Sequence, residues 1–429
     1  MEQHGTPLAG EILGQIRKAK GYSQDEVADS ISCSQSTLSR LERGDPDSFD
    51  VELVRDYKVF LGVEFVPLVP SERQGFRGKL HTWLDTIIQK DFENAERIQP
   101  QLAAIVYLPH EVELNIFYEL FACRLHIERW EYEAANQALA ALEGKQHAFT
   151  DLHHYHYHYN KGTLCGNQKQ FEEAFDHYMT AFNFMKNGLQ VDMGIYYNLA
   201  FCCYELGRVA KTVMFLEKAQ EFYGEADTSA LKSFMDNLLA VSYIKIGYLP
   251  GAKRLLDKCL AQAKLNDSPN DIGMILINYA YLYRKAGKVA DALDYLGRAE
   301  SYVNKESVFY LEMLYQKAWC YLEMDYPVAC KKVVDEGKKL SEGNEELSTY
   351  FKALECVLSP DTKASRAYLD TVALPYFLEK NLNHMALEFC DFLLEAYRKQ
   401  GKGFQARVGR MAEITADVRK VMLEGGVLD

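Results

Sequence analysis

The sequence predicts an all-α protein, with a small helical domain at the N-terminus and a long helical solenoid behind it. The 429 residues contain only 11 prolines, and the long segments between them carry apolar residues at helical spacing. Gly207, Gly247 and Gly287 recur at a step of 40 residues, and leucines behind them recur at the same step. Self-similarity of this period is typical of stacked helix pairs, which bury their apolar faces only against neighbouring pairs.

Composition places the chain among ordinary soluble proteins. It is 48% hydrophobic and 25% charged, and no apolar run is long enough to cross a membrane. The N-terminus lacks the basic start and apolar core of a secretory signal. The ten cysteines show no CxxC spacing, which indicates reduced thiols in a cytoplasmic protein. A net charge of −13 argues against nucleic-acid binding by the whole surface, although not against a small local reader.

The N-terminal segment predicts several short helices in succession. Ser23 and Glu26 have the spacing of a capping box at the start of a second helix. Ser34 is a suitable N-cap for a third helix, which stops at Gly44. Apolar residues over 51–61 predict one or two closing helices.

Two short helices joined by a tight turn form the helix-turn-helix arrangement. Residues 21–28 (GYSQDEVA) and 34–44 (SQSTLSRLERG) resemble the phage-repressor (Cro/C1, XRE) DNA-binding domain. The resemblance implies that Gln24 contacts a DNA phosphate. It also implies that the third helix reads base edges through Gln35, Ser36 and Arg40, with Thr37, Ser39 and Arg43 beside them. The chemistry agrees, since glutamine can bond adenine in two places and arginine can bond guanine in two places. The alternative is a helix-turn-helix fold used only for protein contacts.

The charge of this segment bears on how it would bind DNA. Residues 1–66 contain 7 Lys or Arg against 12 Asp or Glu, a net charge of −5. One such domain should bind DNA weakly, because phosphate contacts dominate affinity. We therefore expect two copies on a two-fold symmetric operator, presented by a homodimer or a tetramer.

Domain boundaries follow from the prolines and from the repeats. Pro67 and Pro70 stand in a stretch with little helical periodicity, so we predict a helix-turn-helix domain over 1–66, a linker over 67–78 and a repeat domain over 79–429. Small residues recur in the first helix of each repeat at Ala122, Gly162, Ala200, Ala240, Ala280 and Ala318. They recur twelve positions later at Ala134, Ala174, Thr212, Ala252, Ala292 and Cys330. This pair of slots resembles the tetratricopeptide repeat (TPR), a right-handed α-solenoid, and we expect roughly eight or nine helix pairs.

The first helices of such repeats line the inner surface of the solenoid, and here they carry asparagines in phase. Asn160, Asn198 and Asn278 lie two residues before the small slot, and Asn237 lies three before it. A primary amide suits the alternating donors and acceptors of an extended peptide, so these residues predict a peptide-binding wall. Polar and cationic side chains one turn further on would pair with an acidic group of the peptide: Tyr204, Lys245, Arg284 and Lys285. The alternative is that the asparagines cap or cross-link neighbouring helices.

Other chemistry is weakly indicated. His154 and His158 lie one helical turn apart in a histidine-rich segment, but no carboxylate or cysteine completes a ligand set nearby. We therefore expect no metal and no cofactor. No Ser/His/Asp set, phosphate-binding glycine loop or HExxH motif appears at a usable spacing, so no catalytic residue is assigned.

A repressor-like domain followed by TPR-like repeats resembles the RRNPP regulators (Rap, Rgg, NprR, PlcR, PrgX), and the length is most like the NprR type. The family implies a cytoplasmic quorum-sensing transcriptional regulator. It would bind a short imported signalling peptide in the repeat groove and thereby change oligomer geometry and DNA binding.

Two alternatives remain open at this point. The family also implies a Rap-like activity that promotes dephosphorylation of a response regulator, for which Gln89, Gln99 or Gln101 would orient the attacking water. The other is a scaffold that binds protein C-termini and no DNA. A membrane partner is not expected.

Overall fold

A computed structural model describes residues 6–65, 68–106, 108, 110–186, 194–221, 230–359, 362–399, 403 and 405–423. Every regular element in these ranges is a helix and none is a strand, which confirms the all-α prediction. The chain divides into two compact units, Met1–Asp192 and Met193–Asp429.

The N-terminal domain of the first unit contains four α-helices. They are α1 (Thr6–Ala19), α2 (Gln24–Ser30), α3 (Gln35–Glu42) and α4 (Val51–Leu61), with a short 3₁₀ helix over Pro46–Ser48. The predicted capping box is present, because Ser23 accepts from the backbone of Glu26 and the Glu26 carboxylate accepts from the backbone of Ser23. The apolar faces of the four helices meet in one core, which includes the fully buried Ile12, Leu13, Val27, Leu38 and Tyr57.

The remaining helices of the first unit are α5 (Pro70–Ile88), α6 (Phe92–Val106), α7 (Val112–Glu128), α8 (Tyr132–Glu143), α9 (Asp151–Asn167) and α10 (Phe171–Lys186). Most of the predicted linker is helical. Pro70 begins α5, so residues 70–78 form its first two turns, while Pro67 lies outside the described residues. Proline is well tolerated at the first helical position, because its missing N–H has no partner there in any case.

Charged side chains join the helix-turn-helix domain to the first repeat helices of this unit. The Arg73 guanidinium on α5 lies 2.9 Å from the Glu113 carboxylate and 3.2 Å from that of Glu111, which is fully buried. On α1, Gln15 contacts Glu113 at 3.4 Å and Glu11 lies 3.8 Å from Arg73. Burial raises the pKa of both Glu11 and Glu111 above the usual range.

The second unit contains α11 (Gly194–Glu205), α12 (Val209–Gln220), α13 (Ala230–Lys245), α14 (Leu249–Leu265), α15 (Pro269–Lys285), α16 (Val289–Ala299), α17 (Val308–Glu323), α18 (Pro327–Leu340), α19 (Glu345–Leu358), α20 (Lys363–Tyr368), α21 (Leu374–Glu379), α22 (Asn383–Lys399) and α23 (Gln405–Leu423). A π-helical turn over Leu369–Ala373 joins α20 to α21. Helix α23 packs against α12, so the C-terminal pair of this unit contacts its first pair.

A left-handed residue ends the first helix of most pairs. Gly207, Gly247 and Gly287 have φ between 67° and 83°, as the repeated glycines predicted. The same backbone state is adopted by residues of other types at 38–40 residue steps before and after them: Lys90, Trp130, Lys169 and Asp325. The turn therefore repeats through more units than the glycines alone reveal, because the geometry is fixed by packing and glycine only makes it easier.

The small-residue slots are buried, with one correction. Ala200, Ala240, Ala280 and Ala318 are at most 1% exposed, which lets adjacent helices approach closely. In the α7–α8 pair, however, the predicted Ala122 and Ala134 are only half-buried. The fully buried residues there are Cys123 and Ala135, so the register is shifted by one position. The step to the next unit is therefore 39 residues rather than 40.

Candidate functional site

The first candidate surface is the exposed face of α3 in the helix-turn-helix domain. Helix α3 buries Leu38 and Leu41 against the core. The residues predicted to contact DNA lie on its other side: Gln35, Ser36, Arg40 and Arg43 are exposed, and Thr37 and Ser39 are half-buried. The helix therefore presents the polar face that a reader of the major groove requires.

A hydrogen-bond network fixes the first turn of α3. Nε2 of Gln35 donates to Oε1 of Gln24 at 2.6 Å, and Nε2 of Gln24 donates to Glu42 at 2.9 Å. Glu42 also binds the buried guanidinium of Arg17 at 2.7 and 2.8 Å and accepts from the Tyr57 hydroxyl at 2.6 Å. Burial tends to raise the pKa of Glu42, but these hydrogen bonds and the Arg17 charge hold it below the usual range. Glu42 is thus a structural anion that orients both predicted glutamines.

Several other polar groups of α3 have local partners. The Ser34 cap accepts from the backbone N–H of Thr37, and its hydroxyl lies 2.9 Å from that of Ser36. Nε of Arg40 donates to Asp45 at 2.8 Å in a pair that is largely exposed. Because an exposed pair contributes little free energy, Arg40 can exchange Asp45 for a base edge at small cost.

The second candidate site is an apolar groove in the second unit, with a volume of about 500 Å³. Its wall is built from the first helices of four successive pairs, α11, α13, α15 and α17, and from α22. The lining residues include Tyr197, Phe201, Tyr204, Phe234, Asn237, Lys245, Asn278, Tyr281, Phe309, Glu312, Tyr315, Gln316 and His384. The prediction that first helices form the inner wall thus agrees with the lining of this groove.

Two of the predicted amides lie together in the groove. Nδ2 of Asn278 donates to Oδ1 of Asn237 at 2.9 Å, and Asn237 contacts the Met274 sulfur at 3.8 Å. A further amide was missed: Gln316 lies two residues before Ala318, which is the position that Asn278 holds relative to Ala280. The signal was available, because searching this slot for any amide rather than for asparagine alone finds it.

The other two asparagines are placed differently. Asn160 belongs to the first unit, where it is buried and donates to the Leu120 carbonyl at 2.8 Å. This contact between α9 and α7 is the helix cross-link that was the alternative interpretation. Asn198 is half-buried on α11, next to the groove residue Tyr197.

The predicted cations separate into two groups. The Lys245 ammonium lies 4.0 Å from the centre of the Tyr204 ring, and both residues line the groove. The sequence predicts that Arg284 pairs with the peptide, but in the structure it pairs with carboxylates of the chain itself. It is 4% exposed and its guanidinium is bound to Glu388 and Glu323. Lys285 also pairs with Glu388, at 2.7 Å. These two cations therefore hold α22 against α15.

No sequence pattern indicates that α22 contributes to the groove. His384 lies on that helix, more than 100 residues from Tyr281 along the chain, yet both line the groove. Burial and the nearby cations hold the pKa of His384 well below its usual range, so its imidazole is neutral. No repeat pattern signals such a contact, because it arises from the return of the C-terminal helices onto the first pair of this unit.

The histidine-rich segment packs as part of the first unit. Nδ1 of His158 lies 3.2 Å from Nδ1 of His177, and burial lowers the pKa of His158 to about 4. His154 stacks on Phe184. In the described ranges, no three or more histidine, cysteine or carboxylate side chains are grouped as metal ligands.

Comparison with known proteins identifies the helix-turn-helix domain and the helical-repeat fold. Residues 13–68 match a helix-turn-helix family profile, and the fold is similar to solved structures of helical-repeat regulators. The apo form of the quorum sensor NprR from B. thuringiensis aligns with a TM-score of 0.64 and 20% identity, over 81% of this chain and 99% of that one. NprR in complex with its cognate peptide NprX aligns with a TM-score of 0.59 and 21% identity, over 80% of this chain and 99% of that one.

A curated relative is similar in sequence as well. Response regulator aspartate phosphatase A of Bacillus subtilis (strain 168) is 24% identical over 254 residues, which is 56% of this chain and 66% of the relative. A helix-turn-helix domain and TPR-like repeats are the two parts that the RRNPP family combines, and the predicted resemblance is confirmed for the fold. No helix among the described residues is long and apolar enough to span a membrane.

Proposed function

We propose that the protein is a cytoplasmic, peptide-responsive transcriptional regulator. In this proposal α3 reads an operator, and the groove of the second unit binds a short imported signalling peptide that changes operator affinity. The observation that carries the proposal is the groove itself, which combines an apolar aromatic wall with the Asn237–Asn278 amide pair.

The groove suits an extended peptide for two physical reasons. Phe201, Phe234 and Phe309 are between 38% and 58% exposed at the wall, and exposed aromatics at a concave site favour an apolar partner. The paired amides retain donors and acceptors that can bond a peptide backbone without selecting a side chain. Lys245 adds a cation that can pair with an acidic side chain or a C-terminal carboxylate.

The DNA-binding half rests on the geometry of α3. Gln35 is held by Gln24, while Ser36 and Arg40 are exposed on the same helix. Because the N-terminal segment carries net negative charge, we propose that a homodimer or tetramer presents two such helices to a two-fold site.

Two sets of variants separate the two binding activities. Arg40→Ala should weaken binding to the upstream region of the gene by about tenfold or more and leave peptide affinity unchanged. Arg55→Ala removes the same charge from α4 and serves as its control. Asn237→Ala with Asn278→Ala should weaken binding of five- to eight-residue peptides from the short secreted precursor encoded beside the gene, while peptide-free DNA binding stays intact. Fluorescence anisotropy measures both affinities, and an absence of operator binding under all conditions would exclude the regulator.

A second candidate function is supported by the similarity to aspartate phosphatase A. In this proposal a glutamine of α6, or of the turn between α5 and α6, orients the water that attacks a phosphorylated response regulator. Gln89 and Gln101 are exposed, whereas Gln99 is half-buried and contacts the Tyr118 hydroxyl at 3.4 Å. Only an exposed amide can reach a partner's phosphoryl group, so Gln89 and Gln101 are the candidates.

Phosphate release tests this second function directly. Full-length protein added to a phosphorylated receiver domain should accelerate release of inorganic phosphate, and Gln89→Ala or Gln101→Ala should abolish the acceleration. Gln137→Ala on α8 is the matched control. Unchanged release in both α5–α6 variants would remove this candidate.

A further inference from the structure

Two turns of the second unit meet although they lie far apart in the chain. Gly207, between α11 and α12, has a φ of 67°. A Cβ added there would lie 2.9 Å from the Asn381 carbonyl oxygen and 3.0 Å from Cγ of Asn383. Asn381 lies in the turn before α22, and Asn383 is the first residue of that helix. Only a residue without a side chain fits in this contact between Gly207 and the two asparagines, which we call the seam.

The next two repeated turns make no such contact. Gly247 and Gly287 hold the same position in their pairs and are also left-handed, yet a Cβ there would meet nothing within 4 Å. A cavity of about 480 Å³ separates the Gly247 turn from α22 and α23. Ile246, Leu387 and Met422 are among the residues that line it. The C-terminal helices therefore meet the start of this unit at the seam and along α12, where α23 packs.

The wall of the groove passes across the seam. Tyr204, three residues before Gly207, lines the groove from α11. His384 and Met385, which directly follow Asn383, line it from α22. The separation of the two turns at the seam therefore sets the width of the groove between Tyr204 and His384.

The seam is the weaker of two attachments that hold α22 beside the groove. Towards α15, Glu388 binds the buried guanidinium of Arg284 and the ammonium of Lys285. At the seam, Asn383 is 5% exposed, and its Nδ2 donates no hydrogen bond within the described part of the chain. A buried donor without an acceptor is unfavourable, and it gains a hydrogen bond to water when the contact opens. Helix α22 should therefore separate from Gly207 more easily than from α15.

Resting on the peptide-binding function proposed above, we propose that the seam is a gate of the groove. It opens when α22 and α23 move away from the α11–α12 pair, which admits the peptide, and it closes over the bound peptide. In the closed state the peptide is held between Tyr204 and His384, so opening limits both its entry and its release. The ion pairs of Glu388 stay intact and form the hinge side of the gate.

A reversible crosslink tests the gate in the full-length protein. Because a Cβ at position 207 would lie 3.0 Å from Cγ of Asn383, the two Cβ atoms are at most about 4.5 Å apart, within the range of a disulfide. Gly207→Cys with Asn383→Cys therefore locks the seam when oxidised and frees it when reduced. Gly207→Cys alone, treated identically, controls for the strained backbone and for the half-buried native thiols of Cys33 and Cys165.

Surface plasmon resonance measures the rates, with synthetic five- to eight-residue peptides that cover the short secreted precursor encoded beside the gene. We expect the oxidised double variant to bind peptide about tenfold or more slowly than its reduced form. When peptide is bound before oxidation, its release should slow by a similar factor. Oxidation should leave the rates of the single variant and of the wild type unchanged.

Gly207→Ala tests the same contact without a crosslink. Its methyl group would collide with Asn381 and Asn383, so the seam should stay open and peptide should dissociate about tenfold faster than from the wild type. Gly247→Ala is the matched control, because it places a methyl group on the same left-handed backbone in open space.

Failure of the gate and failure of the groove give different results. The gate is wrong, and the peptide groove stands, if the oxidised and reduced double variants bind peptide at equal rates. The same conclusion follows if the two introduced thiols do not join, or if Gly207→Ala and Gly247→Ala release peptide equally fast. If the wild type binds none of the peptides, the proposed function fails and the gate fails with it. The crosslink decides the matter even if Gly207→Ala does not fold.

Discussion

The Glu388 carboxylate is 9% exposed and is bound by two cations of α15 and by the Tyr315 hydroxyl of α17. Burial alone would raise its pKa, but Arg284 and Lys285 lower it to about 2. Since the guanidinium of Arg284 is equally buried, each ion of this pair would be costly without the other. The pair therefore joins α22 to α15 behind the groove.

This pairing predicts a specific dependence of stability on pH. The pKa of Glu388 is about 2 in the folded chain against an ordinary value of 4.5, so its stabilisation is complete above pH 4.5 and is lost as the pH falls towards 2. Glu388→Gln should lower the free energy of unfolding at pH 7 by about 3 kcal/mol. The difference from wild type should shrink as the pH falls through that window.

Urea unfolding of both proteins between pH 7 and pH 2 measures this difference. Asp294→Asn, which removes an exposed carboxylate that lies 3.8 Å from Arg298, should change stability by less than about 0.5 kcal/mol at any pH. A constant difference between Glu388→Gln and wild type down to pH 2 would show that the ion pair is not the cause.

Single residues were the part of the site that the sequence predicted least well. The sequence predicts Lys285 and Arg284 as cations that pair with the peptide, whereas in the structure both pair with Glu388, about 100 residues further along the chain. Nothing in a local pattern reveals such a partner. Glu42 is similar: the sequence marks it as part of a repressor-like motif, whereas its bonds to Arg17 and Tyr57 depend on how three helices meet.

At the scale of elements, prediction was more successful because helix limits depend on neighbouring residues. The Ser23–Glu26 capping box and the three turn glycines lie where the sequence places them. Residues 70–78 of the predicted linker are helical in the structure. A proline can start a helix as well as interrupt one, and Pro70 starts α5. In the α7–α8 pair the buried small residues are one position later than predicted. Two small residues are adjacent at each slot, so the sequence does not distinguish between them, and packing selects Cys123 and Ala135.

The close approach of α9 and α10 allows a test of the small-residue slot. A Cβ added at Gly162 would lie 2.8 Å from the Tyr178 ring, which is 4% exposed and cannot move aside. Gly162→Ala should therefore destabilise the first unit by about 1–3 kcal/mol through overpacking. Gly166 lies one turn further along the same helix, and a Cβ there would meet only Ala174 at 3.9 Å.

Gly166→Ala is thus the matched control, and it should be neutral or should stabilise by up to about 1 kcal/mol through helix propensity. Hydrogen exchange of the α9 and α10 amides distinguishes the two variants. Equal protection in both would mean that the slot tolerates a methyl group and does not set the helix spacing.

At the scale of the whole molecule, the two proposed binding sites belong to different compact units. The α3 face lies within Met1–Asp192, and the groove lies within Met193–Asp429. In the first unit, Arg73, Glu113 and Gln15 join the helix-turn-helix domain to α5 and α7. Helix α1 is therefore held by repeat helices, and its attachment does not depend on the short connecting segment alone.

Regulation by a peptide then has a thermodynamic consequence that can be measured without knowing the path of coupling. If the peptide changes operator affinity by some factor, the operator must change peptide affinity by the same factor. We expect a factor between about 5 and 150, which corresponds to a coupling of about 1–3 kcal/mol. The peptide's dissociation constants with and without operator have a certain ratio. The operator's dissociation constants with and without peptide should have the same ratio.

The variants decide whether that coupling runs through the two proposed sites. At operator concentrations that saturate only the wild type, Arg40→Ala should reduce the effect of operator on peptide binding, because the variant binds operator more weakly, and should leave the peptide's own affinity unchanged. Asn237→Ala with Asn278→Ala should remove the effect of peptide on operator binding in the same way. Unequal factors in the wild type would point to an additional equilibrium such as a change of oligomeric state, since a homodimer and a tetramer present different numbers of α3 helices to the operator. Repeating both titrations over a range of protein concentrations separates that contribution, because only an oligomerisation step makes the factors depend on concentration.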